Sequence, residues 1–228
     1  MNTAGTLYLV ATPLGNLGDM TFRAVETLKT VTLIAAEDTR RTKILCQKYG
    51  IATPLTSLHE HNEGKKAPEL VQRLKAGESV ALVTDAGMPV VSDPGAFLVE
   101  QAAAAGIPVT AVPGANAAVT ALALSGFRGE KFRFEGFPPK KSAAMERWLE
   151  GLSSEETLVI CYESPYRVVK TLEAIRKVLG EVPVVVAREL TKLYEEVTRG
   201  STSQVLKRYT ERPAKGEVTL IFLPKKEP

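Results

Sequence analysis

The feature that most restricts this chain is a unit repeated through its first half: a short continuous apolar run, a turn of small residues, then a segment with helical spacing. The apolar runs are Thr6–Thr12 (TLYLVAT), Val31–Ala36, Ser79–Thr84 (SVALVT) and Val109–Val112. Runs without alternation mark strands covered on both faces, and strands alternating with helices build a parallel sheet. Thr21 is placed to cap a helix whose apolar positions Phe22, Val25 and Leu28 share one face. A second helix follows Glu37-Asp38 and runs through about Tyr49, and Ser57–Gly64 reads as a polar segment. Lys65–Lys75, Gly95–Ala105 and the Ala-rich Ala115–Leu124 complete the helices of this half.

The rhythm breaks at Ser125–Pro139, where Gly126, Gly129, Gly136, Pro138 and Pro139 interrupt regular structure and the intervening Phe residues suggest a short edge strand. Beyond it the pattern predicts strands at Thr157–Tyr162 and Val182–Glu189 with a helix over Tyr166–Leu179 between them. Tyr194–Gly200 reads as a strand paired antiparallel, Thr202–Tyr209 as a helix and Lys215–Leu223 as a closing strand. Strand follows strand more often here, which predicts a mixed sheet. The expected architecture is two α/β domains, residues 1–124 with a mostly parallel sheet and residues 125–228 with a mixed one.

The 228 residues are 44% hydrophobic, enough for cores of that size. Cys46 and Cys161 sit far apart inside apolar segments and read as packed thiols of a reducing compartment. No apolar window reaches the roughly 18–20 residues of a membrane span, and no basic region precedes Leu7–Ala11, so a cytoplasmic location is expected. Divided at Gly126, the first part holds 10 Lys/Arg against 11 Asp/Glu and the second 19 against 15, so the second leans toward an anionic partner.

In a parallel sheet, ligands bind beyond the carboxyl ends of the strands. Four loops rich in small residues leave such ends: Thr12–Asp19, Glu37-Asp38-Thr39-Arg40, Asp85–Pro89 running on to Ser92-Asp93-Pro94-Gly95, and Pro113-Gly114-Ala115-Asn116. Missing side chains let a ligand approach the backbone N–H and C=O groups. The first loop imitates a dinucleotide fingerprint, but Pro13 stands where its first glycine belongs. A Walker loop and a G-x-S-x-G elbow are also missing, which removes the usual equipment for hydride, phosphoryl and acyl transfer. His59 and His61 lie in a polar loop without further ligands at a metal-binding spacing, so no metal site is assigned. Asp85 and Asp93 suit Mg²⁺ ligation and backbone capping equally well.

Taken together, TLYLVATPLGNLGD, AEDTR, VTDAGMPVVSDPG, VPGANAAVTALALSG, YESPYR and ARELTK-YEEVTRG resemble, in order, the motifs of the 16S rRNA cytidine 2′-O-methyltransferases, a branch of the tetrapyrrole methylases. The likeness runs from about Thr6 to Leu223. It implies a two-domain α/β fold with S-adenosyl-L-methionine in a cleft between the domains, a homodimer, and 16S rRNA of the small ribosomal subunit as substrate. By position, Pro13 resembles the residue ending the first strand under the cofactor, and Ala86, Gly87, Met88 and Val91 the loop around its methionine part. Asn116 and Ala117 resemble the pair after the Pro-Gly turn. Tyr162, Glu163, Ala187, Leu190, Gly216 and Glu217 resemble the wall against adenine and ribose. Met88 departs from the usual Thr, and Tyr166 from the usual His, which leaves no histidine for catalysis at that position.

Methyl transfer from a sulfonium is an in-line displacement, so alignment is the protein's main contribution and is worth roughly 7–11 kcal/mol. A base or a charge that stabilises developing alkoxide adds about 10²–10⁴-fold. Glu37, Asp38, Arg40, Glu60, His61, Arg167, Arg188 and Glu189 are the candidates; Arg40 and Arg167 are chosen as RNA or transition-state contacts, and no single base is assigned. Glu163 and Arg167, four apart, can also simply pair with each other. RNA phosphates are expected at Arg40, Arg41 and Lys43, at Arg128 through Arg133, and at Lys140 and Lys141, the best placed of the three clusters. Two other readings stay open: a methyltransferase acting on a tetrapyrrole or other small molecule, and a non-catalytic RNA- or nucleotide-binding protein.

Overall fold

The computed structural model describes residues 4–128 and 131–224; Gly129, part of the expected break, lies outside them. The chain divides into two compact units, Met1–Asn116 and Ala117–Pro228. That division falls ahead of the Ala-rich helix, whereas the sequence expectation carries the first domain through residue 124. The helix groups with the second unit because its small buried residues, Ala118, Ala121 and Ser125, pack on that unit's strands.

The first unit runs β1 (Leu7–Val10), α1 (Phe22–Thr30), β2 (Leu33–Ala36), α2 (Thr39–Tyr49), β3 (Leu55–Ser57), α3 (Glu63–Lys75), β4 (Val80–Val83), α4 (Ala96–Ala104) and β5 (Val109–Val112). Its five strands are all parallel, in the order β3-β2-β4-β1-β5. Alternate residues of each strand serve opposite faces. Val10, Ile34, Ala36, Ala81 and Val83 pack with Ala24, Val25 and Leu28 of α1 and Leu45 and Cys46 of α2. Leu7, Leu33, Ala35, Val80 and Leu82 pack with Leu70 and Leu74 of α3 and Leu98 of α4. Each fully buried leucine contributes about 1.5–3 kcal/mol.

Thr21 caps α1 as expected, its hydroxyl accepting from the Ala24 N–H. Phe22 corrects the expected apolar face: it is 94% exposed, and Ala24 takes the buried position. Strand β3 lies partly inside the segment read as polar. It is a three-residue edge strand, half-buried throughout, and its Leu-Thr-Ser sequence carries almost no strand signal.

The second unit runs α5 (Ala117–Ser125), β6 (Phe132–Phe134), α6 (Ser142–Leu152), β7 (Leu158–Glu163), α7 (Val168–Leu179), β8 (Pro183–Arg188), β9 (Glu196–Ser201), α8 (Thr202–Glu211) and β10 (Val218–Phe222). The sheet order is β6-β7-β10-β8-β9, with β6 parallel to β7 and the other pairs antiparallel. The mixed sheet and the antiparallel β8–β9 pair match the sequence reading. Helix α6 is an addition to that reading, although Met145, Leu149 and Leu152 carry its buried stripe at i, i+4 and i+7. Helices α6, α7 and α8 cover one face around Cys161, Leu172, Val186 and Phe222. Helix α5 packs on the strands from the other side, and Arg199 of β9 donates to its last carbonyls, Leu124 and Ser125.

Candidate functional site

In the first unit, β1 and β2 lead to helices on one face while β3 and β4 lead to helices on the other. Because the sheet order interleaves them, the chain parts to opposite faces at β3/β2, at β2/β4 and at β4/β1. Such partings open crevices at the carboxyl rim.

At the β4/β1 parting, Thr12 and Gly87 exchange both backbone hydrogen bonds, at 2.8 and 3.0 Å. The Thr12 hydroxyl also donates to the Thr84 carbonyl at 3.1 Å. Gly87 sits at φ +87°, and a Cβ there would come within 3.4 Å of Leu14 Cδ2 and 3.6 Å of the Ala115 carbonyl oxygen. Conformation, more than space, therefore demands glycine. Val90 and Ser92 follow at φ +73° and +65°. A β-branched residue in that region is strained, and such strain gathers at ligand sites. Pro13 is buried beside this knot, whereas Ala86, Met88 and Val91 are half-buried along the loop. At the next strand end, a Cβ on Gly114 would lie 2.9 Å from that of Ala11, so the Pro113–Asn116 turn presses its backbone onto β1's exit.

At the β2/β4 parting stands a knot of carboxylates. Glu37 Oε2 accepts from the Thr84 hydroxyl at 2.6 Å and from the Asp85 N–H at 3.2 Å. Asp85 Oδ1 in turn accepts from the Asp38 N–H at 3.1 Å, and its Oδ2 lies 3.3 Å from the Arg41 guanidinium. Burial and the neighbouring Glu37 charge push the Asp85 carboxyl upward. Asp38 caps α2 and chelates Arg40, which holds its carboxyl well below the usual carboxylate range. Arg40, proposed from sequence as a contact for RNA or the transition state, is 89% exposed and spends its fork on Asp38. Arg41 and Lys43 are exposed as well. Beyond β3, the His59 N–H donates to Asn62 Oδ1, while His61 is exposed. Among the described residues, no group of three or more His, Cys, Asp or Glu is placed to hold a metal ion.

In the second unit, Tyr162 near the end of β7 meets Phe134 and Phe137 edge-on, with ring centroids 4.9 and 5.8 Å apart. Glu163 is turned inward, its side chain wholly buried, accepting from Ser164 N–H at 2.7 Å and the Thr171 hydroxyl at 2.5 Å. Arg167 lies 3.4 Å from that carboxylate and donates to the carbonyls of Pro138 and Pro139 at 3.3 and 2.8 Å. The Glu163–Arg167 pair therefore acts as a fastener, joining the β6–α6 connection to the start of α7. At the end of β8, Ala187 and Leu190 are buried. Glu189 and Thr191 take φ values of +50° and +66°. Glu189 Oε1 accepts from the Glu217 N–H and from Lys192, both at 2.9 Å, and Lys192 reaches Glu217 as well. Gly216 faces that carboxylate. Arg188 is committed to Glu196 at 2.8 Å. Lys140 and Lys141 are both exposed, and Arg128 lies at the edge of the described residues. The remainder of the Arg128 cluster is partly outside those residues, and Arg133 is engaged by Glu135 and Glu155.

Thr12, Thr84 and Lys192 lie in loops or motifs that the sequence singles out, but sequence reasoning gave them no role of their own. Threonine after a strand and lysine in a loop carry no signal of their own; only the fold shows what they hold.

The chain pairs a parallel sheet with a small-residue carboxyl rim and a mixed α/β unit, the frame on which the likeness to known proteins bears. The sequence model of the tetrapyrrole (corrin/porphyrin) methylases matches residues 6–206, and the chain belongs to that family of S-adenosylmethionine-dependent methyltransferases. The protein named ribosomal RNA small subunit methyltransferase I of Bacillus subtilis is 48% identical over 217 residues, which is 95% of this chain and 74% of that protein. Its namesake in Thermotoga maritima is 46% identical, over 96% of this chain and 98% of that one. Among solved structures, the methyltransferase CobJ superposes with a TM-score of 0.72 at 18% identity, over 96% of this chain and 94% of that one. Diphthine synthase gives a TM-score of 0.70 at 13% identity, over 95% and 89% of the two chains. These two structures bear on the fold alone. The expected family and fold, with the methyltransferase chemistry, are therefore established.

The rim fits the cofactor's chemistry. S-adenosylmethionine carries a sulfonium, an ammonium and a carboxylate, and Glu37, Asp38 and Asp85 stand at the rim with Arg40 on Asp38 and Arg41 beside Asp85, so the rim offers charges of both signs.

Proposed function

We propose that this chain methylates the ribose 2′-hydroxyl of a cytidine in 16S rRNA of the small ribosomal subunit. The supporting observation is that proteins named for small-subunit rRNA methylation share 46–50% of residues with it over 95–96% of its length. Its six ordered motifs resemble the same branch. We also propose that it acts as a homodimer in the cytoplasm, in keeping with that resemblance; no helix among the described residues is long and apolar enough to cross a membrane.

The proposed cofactor residues are Pro13, Ala86, Gly87, Met88, Val91 and Asn116 in the first unit. In the second they are Ala117, Tyr162, Glu163, Ala187, Leu190, Gly216 and Glu217. Glu163 would contribute backbone only, since its carboxylate is consumed inside its own unit. When bound, S-adenosylmethionine supplies an electrophilic methyl group for in-line transfer. The chain's part is to fix geometry. The Thr12–Gly87 exchange ties two rim loops together, so groups held by them keep one separation. Burial and the neighbouring Glu37 charge raise the Asp85 carboxyl, which strengthens it as a proton acceptor.

The decisive measurement is transfer of labelled methyl from S-adenosylmethionine to 30S particles and naked 16S rRNA lacking the modification, followed by nucleoside mapping. Label on a cytidine ribose supports the reading. Transfer to a porphyrinogen with none to either RNA would replace it.

A further inference from the structure

We infer that the second unit carries a single-stranded RNA track along the β6–α6 connection and α7, with Phe137 and Tyr166 stacking on unpaired bases and Lys140 and Lys170 neutralising phosphates. The inference rests on the rRNA reading and adds to it the surface that grips the strand.

Three observations place these groups together. Arg167 grips the carbonyls of Pro138 and Pro139, so Phe137 and Lys140, on either side of those prolines, are held against the start of α7. Tyr166 is Arg167's own neighbour. A groove of about 180 Å³ opens there, lined by Lys140, Arg167, Lys170 and Lys177 against only Glu146 and Glu173, so cations outnumber anions four to two. Among the described residues neither Lys140 nor Lys170 makes an ion pair, while Lys177 is occupied by Glu146 at 2.7 Å. Finally, Tyr166 is 95% exposed and Phe137 59% exposed, although each is a large ring with no folding reason to face water.

Exposed rings on the two segments that supply the groove's unpaired lysines, three and four residues away in sequence, are what a flexible polyanion with π-faces requires. A duplex hides its bases and would use the lysines alone. An acidic protein would likewise need the charge but not both rings. The lysine-lined groove and the exposed rings on its flanking segments together favour single-stranded RNA over either.

The test is fluorescence polarisation of the full chain with a labelled single-stranded oligoribonucleotide and with an RNA duplex, across a salt series. KM for 30S particles and S-adenosylmethionine affinity are measured in parallel. The K140A/K170A double variant is expected to lower the single-strand salt slope by about 1.4, two phosphate contacts' worth. Y166A is expected to weaken single-strand binding about tenfold with the duplex unaffected. In both variants KM for 30S particles rises while S-adenosylmethionine affinity holds, which also shows that they fold. An unchanged salt slope and KM in the double variant, with wild type methylating RNA normally, overturns the track and leaves the rRNA reading intact. Equal losses on duplex and single strand for Y166A overturn the stacking role. A wild-type protein that methylates no RNA removes the reading beneath both.

Discussion

Gly216 and Glu189 leave no room between them: a Cβ on Gly216 would stand 2.0 Å from Glu189 Oε1, and Gly216 itself sits at φ +78°. The carboxylate cannot simply swing aside, because Lys192 and the Glu217 N–H hold it. Its carboxyl group is pushed up by burial but held below its ordinary value by those two partners, which outweigh it. G216A should therefore carry both the left-handed strain and the loss of a charged hydrogen-bond set. The expected cost is about 2–4 kcal/mol in urea unfolding. Because Gly216 also belongs to the proposed cofactor wall, S-adenosylmethionine affinity by calorimetry should fall with it. A G216A protein as stable as wild type would show that the Glu189 contacts carry little weight.

Arg167 reads from sequence either as an RNA or transition-state contact or as a partner of Glu163, and the structure shows the pairing together with its hold on two proline carbonyls. Removing it leaves the buried Glu163 carboxylate without its cation and frees two proline carbonyls. R167A should lose about 2–3 kcal/mol of stability. R167K keeps the charge but not the fork, and should fall between R167A and wild type. If R167A unfolds at the wild-type urea midpoint while turnover collapses, Arg167 acts on the reaction directly.

The acid response should have a definite sign. Burial pushes the Glu196 carboxyl up, but Arg188 and Arg208 outweigh it and hold it below its ordinary value. In the window between that lowered value and roughly 4.3, the unfolded chain binds more protons than the native one. Stability from Glu196 is therefore complete above roughly pH 4.3 and is lost as pH falls through the native value. E196Q should lose less stability than wild type between about pH 5 and pH 3, read as the slope of Tm against pH. Asp85 is raised, so its contribution runs the other way: present at low pH and lost as pH rises through its native value. D85N should accordingly gain on wild type as pH rises from about 4 to 7. Parallel curves for either variant would contradict its assigned shift.

Neither cysteine should react in the native protein. Cys46 and Cys161 are both buried, and burial pushes each thiol up, Cys161 further because it is the more deeply buried, with Glu163 adding to the shift. Thiolate is the reactive form, so Ellman's reagent should release colour only after unfolding, and then for both thiols. Release from the folded chain would mean that one of the two cores opens readily.

The parallel sheet is legible in the sequence because β1, β2 and β4 are wholly apolar runs, a pattern that only two-sided burial explains. The cap at Thr21 is equally legible, since capping chemistry is local. Strand β3 is not, because an edge strand of three half-buried residues gains its place from pairing with β2 and hardly at all from composition. Helix α6 carries its stripe in plain sight but lies behind two prolines that read as a continuing break. The site divides the same way. Its glycine turns and carboxylates announce themselves by residue type, whereas the engagement of Arg167, Arg188 and Arg40 by their own neighbours depends on distances no linear pattern contains.

The interleaved order of the first unit's sheet also sets a timetable. β1 lies between β4 and β5, and the first contact tying its edge to β4, Thr6 to Ser79, spans 73 residues. A chain leaving the ribosome thus exposes its first strand long before either neighbour exists. β2 and β3 can pair meanwhile, but they cannot yet reach β1, because β4 must stand between them. Such distant pairing makes for slow closure, and it makes the stretch through Val83 the point in synthesis at which the nascent chain can first acquire a core.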